Sequence, residues 1–128
     1  MTKPRQPRYA DIFKEDPEKE TEAKAVWHEV VSELEAKGLI TPTRLKIADR
    51  YARACAEYSV LYPIAASEGP VKVGPNGGDV FNFNWSACEK LNDRMAKFED
   101  QLRLDLRHSD VNELPPPAKP TKADDYLD

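Results

Sequence analysis

Two residue pairs do most to restrict how this chain folds: Asp16-Pro17 and Thr41-Pro42 each place a capping side chain ahead of a proline, and Gly38 stands between them. An oxygen at the N-cap accepts from a free backbone amide of the first turn, and proline at the first helical position loses nothing, because its amide would be unpaired there anyway. Glu18, Glu20 and Glu22 add negative charge at the positive end of the helix dipole. A first helix therefore spans residues 17–37, Gly38 ends it in a left-handed conformation, and a second helix starts at residue 42. With so short a connection, the second helix must fold back along the first as a helical hairpin or cross it as a helix-turn-helix.

Apolar spacing supports both helices. Ala23, Val26, Trp27, Val30, Val31 and Leu34 recur three and four apart on the first. The second carries a stripe of Leu45, Ala48, Ala52 and Cys55, widened by Ile47, Tyr51, Ala54, Tyr58 and Leu61, so more than one neighbour should cover it. Pro63 should end or kink it, giving a span of 42–62. Two short runs around Gly74-Pro75-Asn76-Gly77-Gly78 read as a small β-hairpin or a loop. A third helix over 84–107 presents Cys88, Leu91, Met95, Phe98 and Leu102 at four-and-three spacing, a register too short to argue for a coiled coil. The expected fold is mainly α: three principal helices with a hairpin insertion.

With 128 residues, the chain suits one domain with a modest core. Residues 1–16, with Pro4, Pro7, Lys3, Arg5 and Arg8, read as an extended or disordered basic arm, 17–107 as the helical domain, and 108–128 as a Pro-rich acidic tail. No stretch reaches the ~18 consecutive apolar residues of a membrane span, and no apolar segment follows the basic start, so a soluble intracellular protein is expected. Cys55 and Cys88 form no CxxC pair and read as buried reduced thiols. Asn84-Trp85-Ser86 matches a glycosylation acceptor, which has no route to modification in such a protein.

No catalytic constellation emerges. The glycine-rich loop lacks the Gly-Lys-Ser/Thr that would anchor a phosphate, and His28 and His108, on separate elements, complete no metal set. A non-enzyme without metal or cofactor is expected. The net charge of −4, from 19 Lys+Arg against 23 Asp+Glu, means that any nucleic-acid binding must come from a local patch. Arg44, Lys46, Arg50 and Arg53 supply one on the second helix, with Lys46, Arg50 and Arg53 sharing a face. The arm residues Lys3, Arg5 and Arg8 are a second candidate. Ion pairing with the acidic first helix of the same or a neighbouring subunit is the competing reading of the basic face. Leu91, Met95, Phe98 and Leu102 are the candidate contacts between copies, and Tyr126 and Leu127, among Asp124, Asp125 and Asp128, are a candidate anchor for a protein partner.

The order of elements resembles a family of phage terminase small subunits: Trp27 in an acidic first helix, Gly38-Leu39-Ile40-Thr41 before the second, Tyr51-Ala52-Arg53-Ala54 within it, a Gly-flanked hairpin and a long third helix, over residues 20–107. The chain departs from that pattern at Asn82-Phe83-Asn84-Trp85, where members often carry a proline. It departs again at Leu104-Asp105-Leu106-Arg107, where a Gly-Leu-Thr-Pro-like ending is common and Asp105 stands near the expected glycine. The resemblance implies a homo-oligomer, commonly a ring, that recognises viral double-stranded DNA in the host cytoplasm and regulates the large terminase subunit, which carries the ATPase and nuclease. A dimeric helix-turn-helix regulator and a scaffold without DNA binding are the alternatives, separable by native mass and by salt-titrated DNA binding.

Overall fold

The computed structural model describes residues 4–104. In chain order the elements are α1 (Tyr9–Ile12), α2 (Pro17–Ala36), α3 (Pro42–Glu68), the strands β1 (Val71–Val73) and β2 (Asp79–Phe81), and α4 (Phe83–Gln101). The three long helices are the three expected ones.

Both caps form as their residue types dictate. The Asp16 carboxylate accepts from the Lys19 amide and the Thr41 hydroxyl from the Arg44 amide, each at 3.1 Å. Gly38, at φ +68°, reverses the chain so that the Leu39 amide donates back to the Leu34 carbonyl at 2.8 Å.

Of the two arrangements open to α2 and α3, the hairpin is the one that forms. Lys19, one turn into α2, pairs with Glu57 in the middle of α3 at 3.0 Å. Helices crossed at the turn would have separated long before that point. α4 runs back along α3 in the same manner, because Tyr51 donates to Glu99 at 2.7 Å and the Asn84 amide group donates to Glu68 at 3.0 Å. The 27 residues of α3, about 40 Å of helix at 1.5 Å per residue, are thus a spine flanked by α2 along the first part and α4 along the second.

The core lies where α2 meets the spine. Ala48, Ala52 and Ala56 present a smooth fully buried strip on α3, which lets α2 approach closely with Ala23, Trp27, Val30, Val31 and Leu34. Leu102 and Tyr9 complete this cluster.

Three elements depart from the sequence reading, and the hairpin resolves one of its two alternatives. The segment read as an extended arm holds one turn of helix, α1, whose Tyr9 is fully buried, with Phe13 packed against the same cluster. α3 continues through Pro63 to Glu68. Pro63 and Ser59, whose carbonyl loses its i+4 donor, are both on the exposed side, where solvent can replace that bond. The hairpin is a true antiparallel pair, Val71 opposite Phe81 and Val73 opposite Asp79, turned at Gly77 with φ +85°. α4 ends at Gln101 rather than 107: Arg103 takes φ +60°, and the Arg103 and Leu104 amides donate to Asp100 and Glu99 at 3.1 and 2.8 Å. The left-handed stop is therefore Arg103, two residues before Asp105.

Candidate nucleic-acid interface

Burial of the alanine strip decides what α3 shows to solvent. Lys46 and Arg50 stand two residues before Ala48 and Ala52, about half a helical turn away, and both are exposed, as is Arg53. The four basic residues then separate by role. Arg53 forms a two-pronged pair with Asp49 in its own helix, at 3.1 and 2.9 Å. Arg44 turns inward and donates to the Leu39 carbonyl at 3.3 Å, bracing the α2–α3 turn. Lys46 and Arg50 make no ion pair among the described residues. Among the described residues the ion pair that joins α2 to α3 is Lys19 with Glu57, opposite in sense to the competing pairing of an acidic α2 with a basic α3.

Asp49 also holds the arm. The Tyr9 hydroxyl donates to it at 2.9 Å, so one carboxylate fixes both α1 and Arg53. Burial, then the hydrogen bond to Asp49, pushes the Tyr9 hydroxyl far above its ordinary titration range. Tyr51 is raised the same way by burial and its bond to Glu99. The basic residues that precede Tyr9 are thereby tethered to α3: Arg5 and Arg8 are exposed, and Arg8 reaches Asp11 only at 4.0 Å. Lys3 lies outside the described residues. Tyr9 and Asp49 were missed by sequence reasoning, although Tyr9, Ile12 and Phe13 carry helical i, i+3, i+4 spacing between Pro7 and Pro17.

The α4 stripe is not one continuous face open to a second copy. Leu102 is fully buried in the core of its own protomer. Leu91 and Phe98 are half-buried and line a groove with Arg50, Arg53 and Ala54 of α3, and Met95 is half-buried but outside that lining. Among the described residues the most exposed large apolar side chains are Val73 at 76% and Phe81 at 68% on the hairpin, and Phe83 at 86% at the start of α4. Tyr126 and Leu127 lie outside the described residues.

The hairpin is clamped to the helices at its base. Asn82, only 2% exposed, caps α4 by accepting from the Asn84 amide and donates to Glu68 and to the Gly69 carbonyl, at 3.2 and 2.8 Å. Glu68 also takes Lys72 at 3.1 Å, and these bonds, led by the one from Asn84, hold its carboxyl below the usual range.

Other chemistry is sparse among the described residues. Cys55 and Cys88 are buried free thiols, and burial pushes Cys55 up to about 11, away from the thiolate a nucleophile needs. His28 is exposed, no group of three His, Cys, Asp or Glu side chains is placed to hold a metal ion, and no helix is long and apolar enough to cross a membrane.

The geometry is that of a small helical-hairpin protein with a basic face on its central helix and an apolar hairpin at one end. Residues 23–113 match the family described as phage terminase, small subunit, and the chain belongs to that family. Its members serve phage packaging, and the match runs from the second turn of α2 past the end of α4, leaving α1 outside. No curated protein and no solved structure matches the chain.

Proposed function

We propose that this chain is a non-enzymatic packaging subunit that binds viral double-stranded DNA through α3 and the arm, and recruits or regulates the large terminase subunit in the host cytoplasm. The observation that carries the DNA reading is the exposed pair Lys46 and Arg50, one turn apart and free of ion pairs among the described residues. Guanidinium and ammonium groups left uncommitted by the fold are those that release counterions when they meet phosphates. Arg53, held in a fixed pose by Asp49, and the tethered Arg5 and Arg8 extend the same basic surface. Arg44, engaged with the α2–α3 turn, is a lesser contributor.

The chain acts as a homo-oligomer in this reading, with the exposed Val73, Phe81 and Phe83 as its main contact and with Leu91, Met95 and Phe98 of α4 subordinate. A ring would repeat a weak basic patch around its circumference and turn it into avidity. Tyr126 and Leu127 are the proposed anchor for the large subunit.

The decisive experiment is DNA binding across a salt series with the wild type and Lys46→Ala/Arg50→Ala. Affinity should fall steeply with salt, and losing two phosphate contacts should lower the log–log slope by about two. Equal slopes for the two proteins would remove α3 from the interface. Absence of DNA binding at low salt would leave the scaffold alternative.

A further inference from the structure

Between α3 and α4 runs an open groove of about 400 Å³, lined by Ala54, Leu91 and Phe98 with Arg50, Arg53, Arg94 and Glu57 around them. Glu57 is taken by Lys19 and Arg53 by Asp49, but Arg50 and Arg94 have no ion-pair partner among the described residues. An apolar lining beside two uncommitted guanidinium groups suits a short peptide with an aromatic or aliphatic side chain between carboxylates. The chain itself contains such a segment: Asp124-Asp125-Tyr126-Leu127-Asp128.

Reach is ample. Leu91 lies 13 residues before Leu104, about 20 Å along a helix, whereas the 19 residues between 104 and 124 span about 60 Å when extended. We infer that residues 124–128 dock in the α3–α4 groove of the same chain, with Tyr126 and Leu127 against Leu91 and Phe98 and the aspartates on Arg50 and Arg94.

This surface overlaps the proposed DNA face at Arg50 and Arg53, so the segment and DNA exclude one another. That consequence, though not the docking itself, rests on the DNA-binding reading. A partner that takes Tyr126 and Leu127 would expose the basic face, which couples recruitment of the large subunit to DNA affinity by linkage.

Two measurements on the full chain test this. In the first, Tyr126 is replaced by the photo-crosslinker p-benzoyl-L-phenylalanine and the adducts are mapped by mass spectrometry. Cross-links within one chain to Arg50, Ala54, Leu91 or Phe98, lost on Arg94→Glu, are expected. Adducts elsewhere, adducts only between copies, or adducts indifferent to Arg94→Glu would overturn the docking. In the second, Asp124→Asn/Asp125→Asn/Asp128→Asn should bind DNA about fivefold or more tightly than wild type at low salt, the gap closing as salt rises. Unchanged affinity overturns the competition. Should no version of the chain bind DNA, the DNA-binding reading fails, while the cross-linking result still decides the docking.

Discussion

Tyr9 and Tyr51 each put a buried hydroxyl on a carboxylate, Asp49 and Glu99, and both titrations are shifted upward by burial first and the hydrogen bond second. A group whose folded pKa is raised contributes stability below its unfolded pKa and loses it as pH rises. Stability should therefore fall once pH passes the ordinary tyrosine value of 10.0, and Tyr9→Phe/Tyr51→Phe should flatten that decline while costing about 1 kcal/mol per lost bond at neutral pH. Denaturant midpoints of both proteins from pH 7 to 11 check it; parallel curves would mean that neither hydroxyl is protected. Arg103 offers a second residue-scale test, because at φ +60° it bears a Cβ in the left-handed region. Arg103→Gly should stabilise the chain by about 0.5–1 kcal/mol, seen as a higher melting temperature, since the interaction made there with Lys37 uses only the Arg103 backbone carbonyl. A lower melting temperature would assign the arginine side chain a role its backbone does not show.

At the scale of elements, the joint between α3, the hairpin and α4 depends on Asn82, which caps one helix while holding the last turn of another. Asn82→Ala should cost about 1–2 kcal/mol by loss of the cap and stranding of its partners. Hydrogen exchange should quicken at the start of α4 more than in α2, and uniform quickening would deny the joint its local character. These bonds also explain which elements were legible in the sequence. The α2 and α3 starts announce themselves because Asp16-Pro17 and Thr41-Pro42 act within one turn of their own positions, and the alanine and valine spacings act within one helix. α1 was not legible: one turn of helix is unstable alone and exists only because Tyr9 finds a core made by α2 and α3. Pro63 misled for a related reason, since the cost of proline depends on whether the freed carbonyl can reach water, a fact of exposure rather than of sequence. The basic face of α3 was legible as a pattern, but its division into Arg53 held by Asp49, Arg44 turned inward and an uncommitted Lys46 and Arg50 belongs to three dimensions.

For the whole molecule, the proposed homo-oligomer raises the question of where a second copy would attach. The fold consumes the α4 stripe unevenly, burying Leu102 in the protomer and half-covering Leu91 and Phe98, whereas Val73 and Phe81 of the hairpin and Phe83 at the start of α4 are largely exposed. Isolated exposed apolar residues are ordinary, but three of this size within one hairpin and at the helix start that follows it have the composition of an interface. Assembly and DNA binding should consequently be separable, because Lys46 and Arg50 lie on the first half of α3 and the hairpin follows its far end, past Glu68. Phe81→Asp/Phe83→Asp should reduce the native mass toward that of one chain in light scattering, with unchanged helical content, since neither side chain is in the core cluster. The same variant should retain the salt slope of each protomer's DNA contact but lose overall affinity by about a hundredfold or more, the avidity of a multivalent particle. Lys46→Ala/Arg50→Ala should do the reverse, keeping the native mass and lowering the slope by about two. If the phenylalanine variant keeps its full mass while Phe98→Asp dissociates without unfolding, the seam lies on α4 as the heptad-like spacing of Leu91, Met95 and Phe98 first suggested, and the groove beside it is then filled by a neighbour rather than by the segment at residues 124–128.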